Sequence, residues 1–200
     1  MGEWQHSNSD PFNAPRIAAE ASREPARHGA AGTTHRRASD TDQRAIWKGV
    51  VAGLAGGLAA SWAMNQFQSQ LSKLSPEPAR HEGDDATVKA ASAIAERLGD
   101  HPLSEHEKGV AGPAVHYAFG STMGAVYGAL TEALPMSAKG WGLPFGALVW
   151  LGADEIGVPS LGLSGAPTET PASTHASALA SHLVYGATAD AVRRAVRAAL

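Results

Sequence analysis

Five residues of this 200-residue chain have types and spacing suited to chemistry: His116, Asp154, Glu155, His175 and His182. Imidazoles exchange protons near neutral pH and carboxylates accept them. A cluster of the two can relay protons, hold a metal ion or, through a facing histidine pair, ligate haem. Tyr117 adjoins His116, and His175 and His182 lie seven residues apart, which places them on one face of a helix. Within this cluster no carboxylate–histidine pair stands at the i,i+3 or i,i+4 spacing of helix-borne metal sites, so neither metal nor cofactor is expected. The simpler reading of the cluster is a set of interhelical hydrogen bonds.

Other chemistries find no support. The chain has no cysteine, which removes thiolate nucleophiles and thiolate metal sites. It carries no phosphate-binding loop, dinucleotide fingerprint or zinc-protease helix motif. Ser121 and Ser181 lack the turn that exposes a nucleophilic serine. A net charge of -3 offers no basic field for nucleic acid. The expectation is a protein that is not an enzyme.

The elements that must position the cluster are set by where charge is absent. Between Lys48 and Lys73 stand 24 residues without Asp, Glu, Lys or Arg; Lys108 to Glu132 encloses 23, and Glu169 to Asp190 another 20. A helix of about 20 residues crosses the hydrocarbon core of a bilayer. A fourth stretch, from Gly140 to Val158, is interrupted by Asp154 and Glu155. The sequence therefore predicts an all-α, integral membrane four-helix bundle with spans near 46–67, 113–134, 140–158 and 174–196. The spans are rich in Ala and Gly rather than Leu, so a water-soluble Ala/Gly-rich bundle is the competing architecture.

Residues 1–44 are polar and aperiodic, and predict a disordered tail with no apolar core near Met1 that would mark a cleaved signal; the first span would act as an anchor. The connection 68–111 contains a helical apolar spacing through Val88, Ala91, Ile94 and Leu98, which predicts a short amphipathic helix over 86–98.

Glycines recur every four residues: Gly49, Gly53 and Gly57 in the first span, Gly120, Gly124 and Gly128 in the second, Gly142 and Gly146 in the third. Such spacing lines one helix face with hydrogen and lets backbones approach. Spacing alone leaves open whether the partner is another helix of the chain or another copy.

Arg36, Arg37, Arg44 and Lys48 precede the first span, Lys139 lies between the second and third, and Arg193, Arg194 and Arg197 end the chain. The connection between the third and fourth spans has no Lys or Arg. The positive-inside rule then places both termini in the cytoplasm of a bacterial inner membrane. With that orientation His116, Tyr117, Asp154, Glu155, His175 and His182 fall in the outer part of the bundle, joined by Asn65 and Trp62 of the first span. The inner ends carry Glu132, Asp190, Arg193 and Arg194. Asp190 and Arg194 are spaced for an ion pair on one helix, and Glu132 is expected to meet Lys139 or an arginine of the last span.

Several of these positions form a pattern. His116-Tyr-Ala-Phe119, Tyr127, Glu132-Ala-Leu-Pro135, Gly146, Pro159, Gly162-Leu163, His182-Leu-Val-Tyr185, Asp190 and Arg193-Arg194 resemble the YagU-like family of uncharacterised inner-membrane proteins. The likeness covers 112–197 well and 46–67 weakly. Some relatives carry a histidine around Asp154 and often a glutamate stands at Asp190, two points of departure. The resemblance implies a multi-span inner-membrane protein without an established activity.

Two functional expectations follow. One is an accessory subunit that packs, through its small-residue faces, with itself or a larger membrane assembly, having lipid and no nucleic acid as its surroundings. The other is a small transporter or proton-handling protein built on the outer His/carboxylate cluster. Ligand, oligomeric state and physiological partner are not encoded in readable motifs.

Overall fold

A computed structural model of the chain describes Met1 and residues 30–74, 86–99, 102–134 and 140–200, with side chains from residue 45 onward. Two units are distinguished, Met1–Thr41 and Asp42–Leu200. For most of its length the expected tail lies outside the described residues, as do Pro135 and Lys139; helical backbone is described from Ala30, ahead of the boundary expected at 44.

The described residues are all-helical. Helix α1 spans Ala30–Leu74, α2 Ala86–Leu98 and α3 Glu105–Ala133. A composite rod follows: α4 (Leu143–Val149), a π-helical stretch (Trp150–Gly157) and the single turn α5 (Val158–Ser160). After a 3₁₀ turn at Pro167–Glu169 comes α6, Ala172–Ala199.

Local chemistry explains several of these boundaries. Ser104 caps α3 reciprocally with Glu107: the Ser104 hydroxyl accepts from the Glu107 amide, and the Glu107 carboxylate accepts from the Ser104 amide at 2.8 Å. Two of the donors left free at a helix start are thereby satisfied. Pro113 lies inside α3 without ending it. In the composite rod the Val158 amide donates to Ala153 O, five residues back, and Pro159 next in line has no amide to give. That missing donor and the flanking Gly152 and Gly157 favour the wider turn over a regular α-helix.

Glycine sets the packing. Along α1, Gly49, Gly53 and Gly57 face Gly128, Gly124 and Gly120 of α3 in antiparallel register; a Cβ built on Gly49 would lie 2.5 Å from Gly128 O, closer than a carbon can sit. Gly142 and Gly146 at the start of the rod face Gly186 and His182 of α6 in the same antiparallel sense. Gly142 has a second requirement, a left-handed φ of 74° at the N-cap of α4. Gly56 brings α1 onto the Ala189 carbonyl of α6. On α2, Val88 fills the space that a side chain at Gly112 would need.

The α1–α3 and α4–α6 pairs thus meet backbone to backbone. Between them sits a small core of Ala60, Met64, Tyr185 and Ala189, against which Met123 and Phe145 pack. Large side chains point the other way: on α1 the buried stripe is Ala52, Gly53, Gly56, Ala60 and Ser61, whereas Trp47, Leu54, Leu58 and Trp62 are exposed. Val126, Leu151 and Ile156 are exposed on the other elements. Among the described residues, no helix is long and apolar enough by mean hydropathy to cross a membrane, since Ala, Gly and Ser occupy much of each.

Candidate functional site

The antiparallel course of the rod and α6 decides which acidic residue meets which histidine. Helical side chains lean toward their own N-terminus, so on antiparallel neighbours they lean in opposite directions along the axis. Asp154 and Glu155 are consecutive in the π-helical stretch, while His175 and His182 stand two turns apart on one face of α6. Glu155 Oε1 lies 2.6 Å from His175 Nδ1, and Asp154 Oδ2 lies 3.6 Å from His182 Nδ1.

The two pairs differ in kind. His175 Nε2 is 3.0 Å from Pro167 O, a carbonyl that only accepts, so this nitrogen carries hydrogen. The short Nδ1–Oε1 contact then holds one further proton between imidazole and carboxylate, and the pair is neutral overall whichever partner has it. His182 Nδ1 donates to Ala178 O at 3.0 Å, and its separation from Asp154 exceeds hydrogen-bond length. Among the described residues Asp154 has no hydrogen-bond donor, and its side chain keeps 38% of its surface exposed.

Both pairs open on one cavity of about 1070 Å³ between α1, α2, α3, the composite rod and α6. Its apolar wall includes Met64, Phe119, Phe145 and Leu148; Ser61, Asn65 and His116 add polar points. Among the described residues no Lys or Arg lines it. His116 meets Tyr117 edge-on with ring centroids 5.6 Å apart, and the Tyr117 hydroxyl accepts from Asn65 Nδ2 at 3.5 Å. Trp62, placed at the same level by the sequence, faces away from the bundle and is 59% exposed. No set of three His, Asp or Glu side chains able to hold a metal occurs among the described residues.

A separate network closes the opposite end. Asp190 is fully buried; its Oδ1 accepts from the Tyr127 hydroxyl at 3.0 Å and from Arg193 Nη2 at 2.8 Å, and its Oδ2 from Arg194 Nε at 2.7 Å. Arg194 also lies over the Trp141 ring, 5.6 Å from its centroid. Glu132 pairs with Arg197 at 2.6 Å, and this bond raises the guanidinium above its ordinary pKa. Lys48 Nζ donates to Leu200 O at 2.6 Å, which ties α1 to the end of α6. The sequence pairs Asp190 with Arg194 by spacing; the Arg193 bond, three residues along the same helix, is equally local, and the Tyr127 bond is the addition of the tertiary structure. A readable signal was a lone carboxylate at the end of an uncharged stretch, because such a group is held by several donors.

A family profile matches residues 77–191. The chain belongs to the DUF1440 family of proteins of unknown function. The resemblance to YagU-like proteins is consistent with that membership. The matched segment of DUF1440 holds His116, Asp154, Glu155, His175, His182 and Asp190, so both His–carboxylate pairs lie within it. Searches of curated proteins and of solved structures found no match.

Proposed function

We propose that this chain is a four-span bundle of a bacterial inner membrane whose interhelical cavity binds a small solute, with the His–carboxylate pairs as its proton-exchanging groups. The observation that carries the reading is the placement of both pairs on one cavity of about 1070 Å³. Binding sites commonly combine an apolar wall with a few convergent polar groups. A single proton held between Glu155 and His175 can change partner without a charge being buried alone.

The distribution of side chains supports the bilayer setting. Water-soluble bundles bury most of their large apolar groups; here the buried set is mainly Gly, Ala, Ser, two tyrosines, Met64 and an ion network, while many Leu, Trp and Ile side chains stand outward. Lipid covers such a surface. Low mean hydropathy reflects the small residues needed for close backbone contact, which contribute little apolarity of their own.

The glycine faces bear on the accessory-subunit reading. Gly49, Gly53 and Gly57 are occupied by α3, and Gly142 and Gly146 by α6. These faces are not available to a second protein, so that reading retains only the outward apolar surface, which lipid fits equally. The test is proton flux into pyranine-loaded vesicles containing the purified protein. Flux above empty vesicles, reduced in Glu155→Gln with an unchanged unfolding profile, is expected. Wild-type flux equal to that of empty vesicles counts against the proposal.

A further inference from the structure

We infer that the ligand of this cavity is a small organic cation with an apolar or aromatic body, such as a substituted amine or quaternary ammonium, held by Asp154. The inference rests on the cavity-binding reading above and adds the chemical class. Its basis is the charge inventory of the wall. Among the described residues two carboxylates line the cavity, Asp154 and Glu155, and no Lys or Arg does. Glu155 is committed to His175 at 2.6 Å, a pair with no net charge. His182 directs its Nδ1 hydrogen at Ala178 O, 3.0 Å away, and stands 3.6 Å from Asp154. Among the described residues Asp154 therefore accepts no hydrogen bond, has the imidazoles of His182 and His116 as its nearby titratable groups of opposite sign, and faces a partly open, mostly apolar space.

A carboxylate with no hydrogen-bond donor in such a place is costly unless a cation or water meets it. An inorganic ion would need several oxygen ligands at short range, and among the described residues no three acidic or histidine groups gather. An organic cation needs only one counter-charge, with its remaining surface against hydrocarbon. The wall provides that surface through Met64, Phe119, Phe145 and Tyr185. Aromatic faces also attract cations that have shed water. The Tyr185 hydroxyl is turned away to Gly120 O at 2.6 Å, so its ring, not its polar end, is what a ligand could meet.

Three probes of similar size separate the charge classes: benzyltrimethylammonium, benzylsulfonate and benzyl alcohol, titrated calorimetrically into the full-length protein in mild detergent with empty micelles as blank. Saturable binding of benzyltrimethylammonium alone, weakened at least about tenfold by Asp154→Asn, is the expected result, because loss of one partly desolvated counter-charge has an effect of that order. Selectivity among the probes is read on the wild type, so it holds even if the variant folds poorly. Preference for benzylsulfonate or benzyl alcohol overturns the cation assignment and leaves a binding cavity. Absence of binding by all three overturns both the assignment and the cavity reading beneath it. Unchanged affinity in a folded Asp154→Asn protein removes Asp154 as the counter-charge.

Discussion

The Tyr127 hydroxyl donates to Asp190 across 3.0 Å, joining α3 to α6 at a carboxylate that has no solvent exposure. Arg193 and Arg194 complete the coordination from the same helix as Asp190, and Phe145 stacks on Tyr127 with centroids 4.6 Å apart. The result is a cross-link of three elements at the end of the bundle opposite the cavity. A buried ion cluster of this kind is tolerated only when each partner is present, since the removal of one leaves the others desolvated and uncompensated.

Asp190→Ala is accordingly expected to lower stability by about 3–5 kcal/mol, as for other broken buried pairs. Tyr127→Phe, which removes one neutral donor and leaves both arginines in place, is expected to cost about 1 kcal/mol. Denaturant unfolding in detergent, followed by circular dichroism, measures both. Equal effects of the two substitutions would show that the arginines do not depend on the carboxylate.

Glycine substitutions on α3 should have opposite signs. A Cβ at Gly124 would meet the Gly53 carbonyl and the Gly57 backbone at 2.6 Å, whereas one at Gly109 would meet nothing within 4 Å. Gly124→Ala is expected to destabilise by about 1–3 kcal/mol through overpacking. Gly109→Ala should stabilise by up to about 1 kcal/mol through helix propensity. Thermal unfolding of the two variants beside the parent protein decides the point, and a neutral Gly124→Ala would argue against backbone contact between α1 and α3.

The proposed orientation can be checked cleanly because the chain has no cysteine. Glu96→Cys in α2 and Ala199→Cys at the end of α6 each create a single exposed thiol. In intact spheroplasts a membrane-impermeant maleimide is expected to label the first and spare the second until the membrane is opened. Labelling of both in intact cells, or of neither, contradicts a bundle with cytoplasmic termini.

Ser104→Ala tests the start of α3. Loss of the capping hydroxyl should cost about 1 kcal/mol, felt locally. Hydrogen exchange at the Glu107 and Lys108 amides is expected to accelerate, while amides around Tyr127 stay protected. Uniform acceleration along α3 would mean that the cap governs the whole helix.

Parts of this architecture are legible without coordinates because they depend on one helix at a time. Seven-residue spacing puts His175 and His182 on a common face, and four-residue spacing does the same for Gly49, Gly53 and Gly57. The Asp190–Arg194 pair, at 2.7 Å, is equally local. Relations between helices are less accessible. Glu132 has Lys139 and the arginines of the last helix as its sequence candidates, and only packing selects Arg197. Trp62 shares a level with the cavity yet faces outward, since depth along a helix says nothing of rotation about its axis.

By itself, the sequence determined the helical class, the small-residue faces and the level at which the ionisable groups lie, because each follows from the periodicity of a single helix. Tertiary structure decided the pairing: Glu155 with His175, Asp154 left beside His182 without a donor, and Tyr127 with Asp190. Those choices depend on the register between antiparallel helices and on the wider turn at Trp150–Gly157, which sets the direction of two consecutive carboxylates. Contacts of that kind form between segments far apart in the chain, where local spacing carries no information about the partner.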